Sequence, residues 1–184
     1  MPDDTVTPEI AVDLALIESR IRDVPDFPHE GILFKDITPL LAHREAFAAA
    51  VDGMSAPFRA EGVDHVVGLE ARGFIFGAPI AMALGAGFVP ARKAGKLPAK
   101  TIDRSYDLEY GTATVEIHAD AIAPGARVLI VDDVLATGGT GRAAVELVRK
   151  AGGTVVGFSV LMELAALRGR EMLPDVEPHI LLSV

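Results

Sequence analysis

Residues 128–141, VLIVDDVLATGGTG, constrain the fold more than any other part of the chain. Val128, Leu129, Ile130 and Val131 are four aliphatic residues in a row, the signature of a strand buried on both faces in a helix-covered parallel sheet. Asp132 and Asp133 follow at the carboxyl end of that strand, where open parallel sheets place their ligands. Ala136, Thr137, Gly138, Gly139 and Thr140 then turn into a helical pattern. Glycines let backbone approach an anion closely, and amides at a helix start point toward it with the helix dipole behind them. Two acids beside an anion site would repel a bare phosphate. The conflict resolves for a sugar phosphate, whose hydroxyls or hydrated Mg²⁺ meet the carboxylates while its phosphate meets the turn. An ordinary buried strand ending in a polar turn is the plainer alternative, and the joint occurrence of strand, acid pair and loop weighs against it. The turn lacks the Gly-Lys-Ser/Thr ending of a Walker loop, and its glycines lack G-x-G-x-x-G spacing.

Elsewhere, helical and strand patterns alternate. Thr7 and Pro8 suit a helix start, with Ile10, Leu14, Ile17 and Ile21 on one face. A Pro- and Gly-rich loop is expected at about 24–39, followed by a helical stripe of Phe47, Val51, Met54 and Phe58. HVVGL at 65–69 reads as a buried strand opening onto Glu70, Ala71, Arg72 and Gly73. A helix at about 75–85 and a short strand at 87–91 come next. Residues 92–111 are basic and polar, too poorly patterned for core, and suit a mobile loop or hairpin with a flanking strand at 115–117. Ala144, Leu147, Val148 and Ala151 give a helix, 155–162 a long final strand of the main sheet, and 180–182 a small late one. The class is α/β, one domain over 1–184 with a mostly parallel central sheet flanked by helices.

Composition excludes more than it assigns. The formal charge of -9 argues against a nucleic-acid or membrane-surface partner, though not against a local basic site. The absence of cysteine removes disulfides, thiolate metal sites and thiol nucleophiles. Asp3 and Asp4 with no long apolar core after them do not resemble a secretory signal, and a cytoplasmic location is expected.

The 128–141 motif resembles the phosphoribosyl-diphosphate (PRPP) motif of type I phosphoribosyltransferases. Three further segments resemble the adenine-specific branch of that family. Asp26-Phe27-Pro28 with the run from Gly31 through Phe34, Lys35 and Asp36 to Pro39 is similar to its hood; Gly68-Leu69-Glu70-Ala71-Arg72-Gly73-Phe74 to its diphosphate turn; Arg92-Lys93, Gly95-Lys96-Leu97-Pro98 and Ser105-Tyr106 with Leu108-Glu109-Tyr110-Gly111 to its flexible loop, about 92–112. Glu163, Leu164, Leu167, Gly169, Arg170 and Glu171 extend the match loosely.

The resemblance implies a type I phosphoribosyltransferase fold and the reaction of adenine with PRPP to give AMP and diphosphate, with Mg²⁺, in a homodimer serving purine salvage. Arg72 alone has the character of a surface ion-pair residue, but at a strand end before Gly73 it suits a forked contact to diphosphate. The peptide entering that turn is expected to be cis. Lys93 and Lys96 read by spacing as solvated loop charge; the resemblance makes at least one a PRPP contact. Glu109 is implied as the carboxyl group that mediates proton exchange at adenine, and Tyr110 as a wall of the closed site. Leu33 main-chain groups and the Phe34 ring are implied to read and stack the base, with Lys35 beside them where some relatives carry Arg. Phe27 is expected to be structural, and Glu30, where proline is common, to loosen the hood turn. Another base as substrate, or a PRPP-sensing regulator on the same fold, are the alternatives. The hood sequence counts against the first, and the negative charge and short leading segment against the second.

Overall fold

The computed structural model describes residues 12–107, 112–173 and 175–184. In chain order it has α1 (Leu14–Glu18), β1 (Arg22–Pro25), β2 (Leu33–Asp36), α2 (Thr38–Ala42), α3 (Arg44–Ser55), β3 (His65–Leu69), α4 (Gly73–Leu84), β4 (Gly87–Lys93), β5 (Thr101–Asp107), β6 (Thr112–His118), β7 (Arg127–Leu135), α5 (Gly139–Lys150), β8 (Thr154–Glu163) and β9 (Pro178–Ser183). The chain divides into two compact units, 1–50 and 51–184.

In the first unit, α1 starts at Asp13, whose carboxylate accepts the Leu16 amide at 2.9 Å. Ile17 is fully buried, while Thr7, Pro8 and Ile10 of the expected helix lie outside the described residues. Of the loop expected at 24–39, residues 26–32 are a turn, and the flanking residues form a strand on each side and the start of α2 instead. β1 and β2 pair antiparallel from Arg22↔Asp36 to Pro25↔Leu33. Cross-strand ion pairs, Arg22 with Asp36 and Lys35 with Asp23 at 2.8 Å, hold the ribbon, and the Asp26 carboxylate accepts the Gly31 amide at 2.8 Å across the turn. The turn expected to be loosened at Glu30 is therefore tied. Asp36 also accepts the Thr38 hydroxyl and amide where α2 begins, and these bonds, with Arg22, hold its carboxyl at about 2.

The second unit is built on a seven-stranded sheet in the order β5-β6-β4-β3-β7-β8-β9. β3, β4, β7, β8 and β9 run parallel, and β5 and β6 are antiparallel additions at one edge. The four aliphatic residues of the motif are each fully buried, a contribution of about 1.5–3 kcal/mol apiece. Alternate strand positions face opposite helices. Val67, Leu69, Val128 and Ile130 cluster with Ala144, Leu147 and Val148 of α5, while Gly68 and Gly77 of α4 meet across the other face. α5 carries Arg149 and Lys150 in its last turn, where cations suit the dipole.

Several elements depart from the sequence expectation. In α3 the fully buried line is Ala46, Ala50 and Met54, with Phe47 and Val51 only half-buried, so the buried stripe is set one residue off the expected one; Phe58 falls in a separate 3₁₀ turn. Of the two readings of the 92–111 interval, mobile loop or hairpin, the described residues show strand pairing: β5 pairs antiparallel with β6 along seven residue pairs, which extends β6 well beyond the flanking strand expected at 115–117. β8 is not the last strand of the sheet: β9 pairs with it in parallel and forms the edge. No helix among the described residues is long and apolar enough to cross a membrane.

Candidate active site

The acids lie at the carboxyl end of their strand, as the sequence suggested, but β7 runs on past them to Leu135. β7 keeps pairing with β8 as far as Leu135↔Glu163, because β8 is long enough to supply partners. β3 pairs with β7 only as far as Gly68↔Val131 before turning into α4. Asp132 and Asp133 therefore occupy a step in the sheet, supported on one side and open on the other.

Into that opening comes Arg72, whose Nε lies 2.8 Å from Asp133 Oδ2. That carboxylate oxygen is buried without a geometrically aligned hydrogen bond, so the contact is an ion pair by proximity. Burial, then the charge of Asp133, pushes the Asp132 carboxyl well above its ordinary value. Burial also raises Asp133, with Arg72 partly offsetting it. A cation entering here would meet carboxylates that gain from its arrival.

The 136–140 turn follows directly. Gly138 has φ +84°, a left-handed conformation natural to glycine, and no side chain caps α5 behind it. A cavity of about 70 Å³ is lined by Asp132, Ala136, Thr137, Gly138 and Thr140, the size of a small anion and adjoining the first turn of the helix. Beside it a cleft of about 340 Å³ is lined by Glu70, Arg72, Arg92, Lys93, Tyr106, Asp132, Asp133, Ala136 and Thr140 among others. A larger cavity of about 400 Å³ along the outer face of α5 contains none of the expected site residues, and its chemistry is mixed charge against Met172 and Val176. The acid pair, helix start and convergent cations mark the smaller cleft as the site.

The structure thus brings Arg72, Lys93, Asp132, Asp133, Ala136, Thr137, Gly138 and Thr140 around adjoining cavities, with Gly139 opening α5. Lys96 points to Glu70, its ammonium bonded to that carboxylate. Leu33, Phe34 and Lys35 lie on β2 of the first unit, where Leu33 is exposed, Phe34 meets Phe27 edge-on at 5.2 Å, and Lys35 pairs with Asp23. Phe27, expected to be structural, is half-exposed, and it supports the turn through that ring contact rather than as buried core. Glu109 and Tyr110 lie outside the described residues.

Three neighbours were missed by sequence reasoning. Glu70 and Arg92 stood inside quoted motifs without a role, and the convergence of charge on the 70–72 turn is the signal that could have raised them. Tyr106 accepts the Thr140 hydroxyl at 3.1 Å, and Arg104 pairs with Glu146, so β5 is tied to α5, the helix that follows the 136–140 turn. Only the hairpin register reveals that contact. The Glu70–Ala71 peptide is cis, as the resemblance implied.

Comparison with known proteins agrees with this geometry. A family profile described as "Phosphoribosyl transferase domain" matches residues 40–177. An adenine phosphoribosyltransferase of Thermobifida fusca is 66% identical over 169 residues, covering 92% of this chain and 96% of that protein. The crystal structure of an adenine phosphoribosyltransferase from Rhodothermus marinus superposes with a TM-score of 0.89 at 53% identity, covering 93% of this chain and 98% of that one. One from Saccharomyces cerevisiae, complexed with an imino-altritol bisphosphate and adenine, gives 0.84 at 39% identity, covering 91% and 96%. With the step of acids, the 136–140 turn and Arg72 around adjoining cavities, these likenesses establish that the chain belongs to the adenine phosphoribosyltransferase family.

Proposed function

We propose that the chain transfers the 5-phosphoribosyl group of PRPP to adenine, yielding AMP and diphosphate in purine salvage. The observation that carries this reading is the adjacency of three chemistries, each matched to one part of PRPP. Amides of the 136–140 turn and the Thr137 and Thr140 hydroxyls hold the 5-phosphate. Asp132 and Asp133 accept from the ribose hydroxyls. Arg72, with Lys93 and Lys96, receives the diphosphate. Relatives whose structures contain adenine, or AMP with pyrophosphate and ribose-5-phosphate, support the same assignment.

Among the described residues no cluster of three or more His, Cys, Asp or Glu could cage a metal. The acid pair nonetheless fits Mg²⁺ arriving with PRPP, since Asp133 Oδ2 is buried without an aligned donor. Bound there, Mg²⁺ would neutralise diphosphate charge, with Asp132 and Asp133 reaching it through water.

As the C1–diphosphate bond lengthens, positive charge develops on the ribose ring and negative charge on the leaving group beside Arg72. Adenine N9 attacks the opposite face of C1, and Glu109 mediates the proton exchange that leaves N9 nucleophilic. No covalent enzyme nucleophile is required; positioning and charge stabilisation supply the acceleration, and Tyr110 walls off water that would hydrolyse the activated sugar. Leu33 main-chain groups read the adenine edge, Phe34 stacks on its ring, and Lys35 flanks them. A homodimer suits α4, whose sequence is apolar throughout and leaves Met82 84% exposed. A cytoplasmic location suits salvage of free bases.

The direct test is AMP formation from adenine, PRPP and Mg²⁺, compared with turnover of hypoxanthine and guanine. Reaction of another base with none from adenine would overturn the substrate assignment. Glu109→Ala is expected to lower kcat by about a hundredfold with PRPP affinity nearly unchanged, as loss of general acid–base assistance does. Steady-state kinetics paired with direct PRPP titration check this, and wild-type kcat would remove Glu109 from the reaction.

A further inference from the structure

Glu70 has no part in the mechanism above, yet it gathers the charge at the diphosphate end of the cleft. Its side chain is only 10% exposed. Oε1 accepts the Lys96 ammonium; Oε2 accepts the Lys93 amide at 2.8 Å and lies 3.4 Å from Arg92 Nε. Burial would raise its carboxyl, but the bonds from Lys96 and the Lys93 amide, with the nearby charges, outweigh that and hold it below its ordinary value. Glu70 is therefore an anion at neutral pH, placed where an anionic leaving group is expected, bonded to the Lys96 ammonium and ion-paired by proximity with Arg92.

We propose that Glu70 is a resident counter-anion of the diphosphate subsite: it occupies Lys96 and Arg92 in the empty site, competes with diphosphate for them, and so limits how tightly the product is retained. This rests on the reading of the Arg72 end of the cleft as the diphosphate subsite. Lys96 can change partners because its ammonium ends a flexible four-carbon stem while its backbone is fixed independently. Glu116, itself buried, accepts the Lys96 and Leu97 amides, each at 3.2 Å. The turn thus stays in place when the ammonium leaves Glu70. Diphosphate, with several negative charges against one, takes the ammonium over when it binds; Glu70 recovers it when diphosphate departs.

Competition makes an unusual demand: removing the carboxylate must tighten binding. Glu70→Gln keeps a carbonyl for the Lys93 amide and discards the charge. Calorimetric titration of the full-length protein with inorganic diphosphate and Mg²⁺ is expected to show about tenfold tighter binding, the scale of deleting one close opposing charge, with product inhibition strengthened alike. Unchanged or weaker binding would overturn the proposal. Glu70→Asp, which withdraws the carboxylate by one methylene, is expected to give a smaller gain of the same sign, and it provides the reading should Glu70→Gln not fold. In a Lys96→Met background the gain should shrink below about twofold; a full gain there would refute the hand-over through Lys96. Wild-type protein that makes no AMP while Glu70→Gln shows the gain sinks the functional reading alone, whereas AMP synthesis without the gain sinks only the role of Glu70.

Discussion

Replacing Asp132 and Asp133 together by Asn is expected to lower kcat/KM for PRPP by about a thousandfold. Hydrogen bonds to a charged group contribute about 1.5–3 kcal/mol each, and the double variant loses at least two of them together with the attraction for Mg²⁺. Wild-type kinetics in that variant would contradict both the ribose and the metal roles. The single variant Asp132→Asn carries a second expectation of opposite sign for stability. The folded-state value of Asp132 is raised well above its unfolded one, so the folded chain binds the extra proton. Stability consequently falls as pH rises through the interval between those two values, and the full penalty persists above it. Asn removes that penalty. The variant should melt higher than wild type near neutral pH, with the difference vanishing below the ordinary carboxylate range. Thermal unfolding at acidic and neutral pH decides the matter; an equal or lower neutral midpoint would show that burial of this charge is not what raises it.

Gly169→Ala is expected to damage the phosphate turn from behind. A Cβ at Gly169 would lie 2.3 Å from the Ala136 carbonyl oxygen and 2.9 Å from Leu135 Cγ. The first of these is backbone of the turn itself and can yield only by moving the 136–138 segment. The packing is reciprocal, since the Cβ direction of Gly138 faces the Gly169 carbonyl at the same 2.3 Å. A methyl here should raise KM for PRPP about tenfold or more and cost about 1–3 kcal/mol of stability, as overpacking does. Kinetics over a PRPP series and chemical denaturation measure the two effects. An unchanged KM with reduced stability would show that the turn does not depend on its backing.

Much of the site was legible in the sequence because it lies along a few continuous stretches. The 128–131 run, the acid pair, the Thr-Gly-Gly-Thr turn and the amphipathic helix after it follow one another within 23 residues, 128–150, so local periodicity and turn chemistry suffice. β3 was located to the residue for the same reason. The missed contacts depend on partners distant in sequence. Glu70 meets Lys96 across 26 residues and Tyr106 meets Thr140 across 34, through strand registers that no local pattern encodes. The β1–β2 ribbon escaped because prolines and glycines punctuate it, masking two four-residue strands that cross-strand ion pairs stabilise. Where β7 ends was misjudged because its final pairs are granted by the length of β8, a tertiary property.

Neighbouring residues of a strand project to opposite sides of the pleat, and from Asp132 to Leu135 burial alternates accordingly, Asp133 and Leu135 being more deeply enclosed than the half-buried Asp132 and Val134. The order of the two acids is thus a matter of frame. Adding or losing a single residue between Arg127 and Asp132 would turn each later side chain over, giving the guanidinium the wrong carboxylate and setting an aliphatic group where a carboxylate belongs. Changes of chain length should be absorbed ahead of Arg127, in the turn around Gly125, where the pleat has not yet begun.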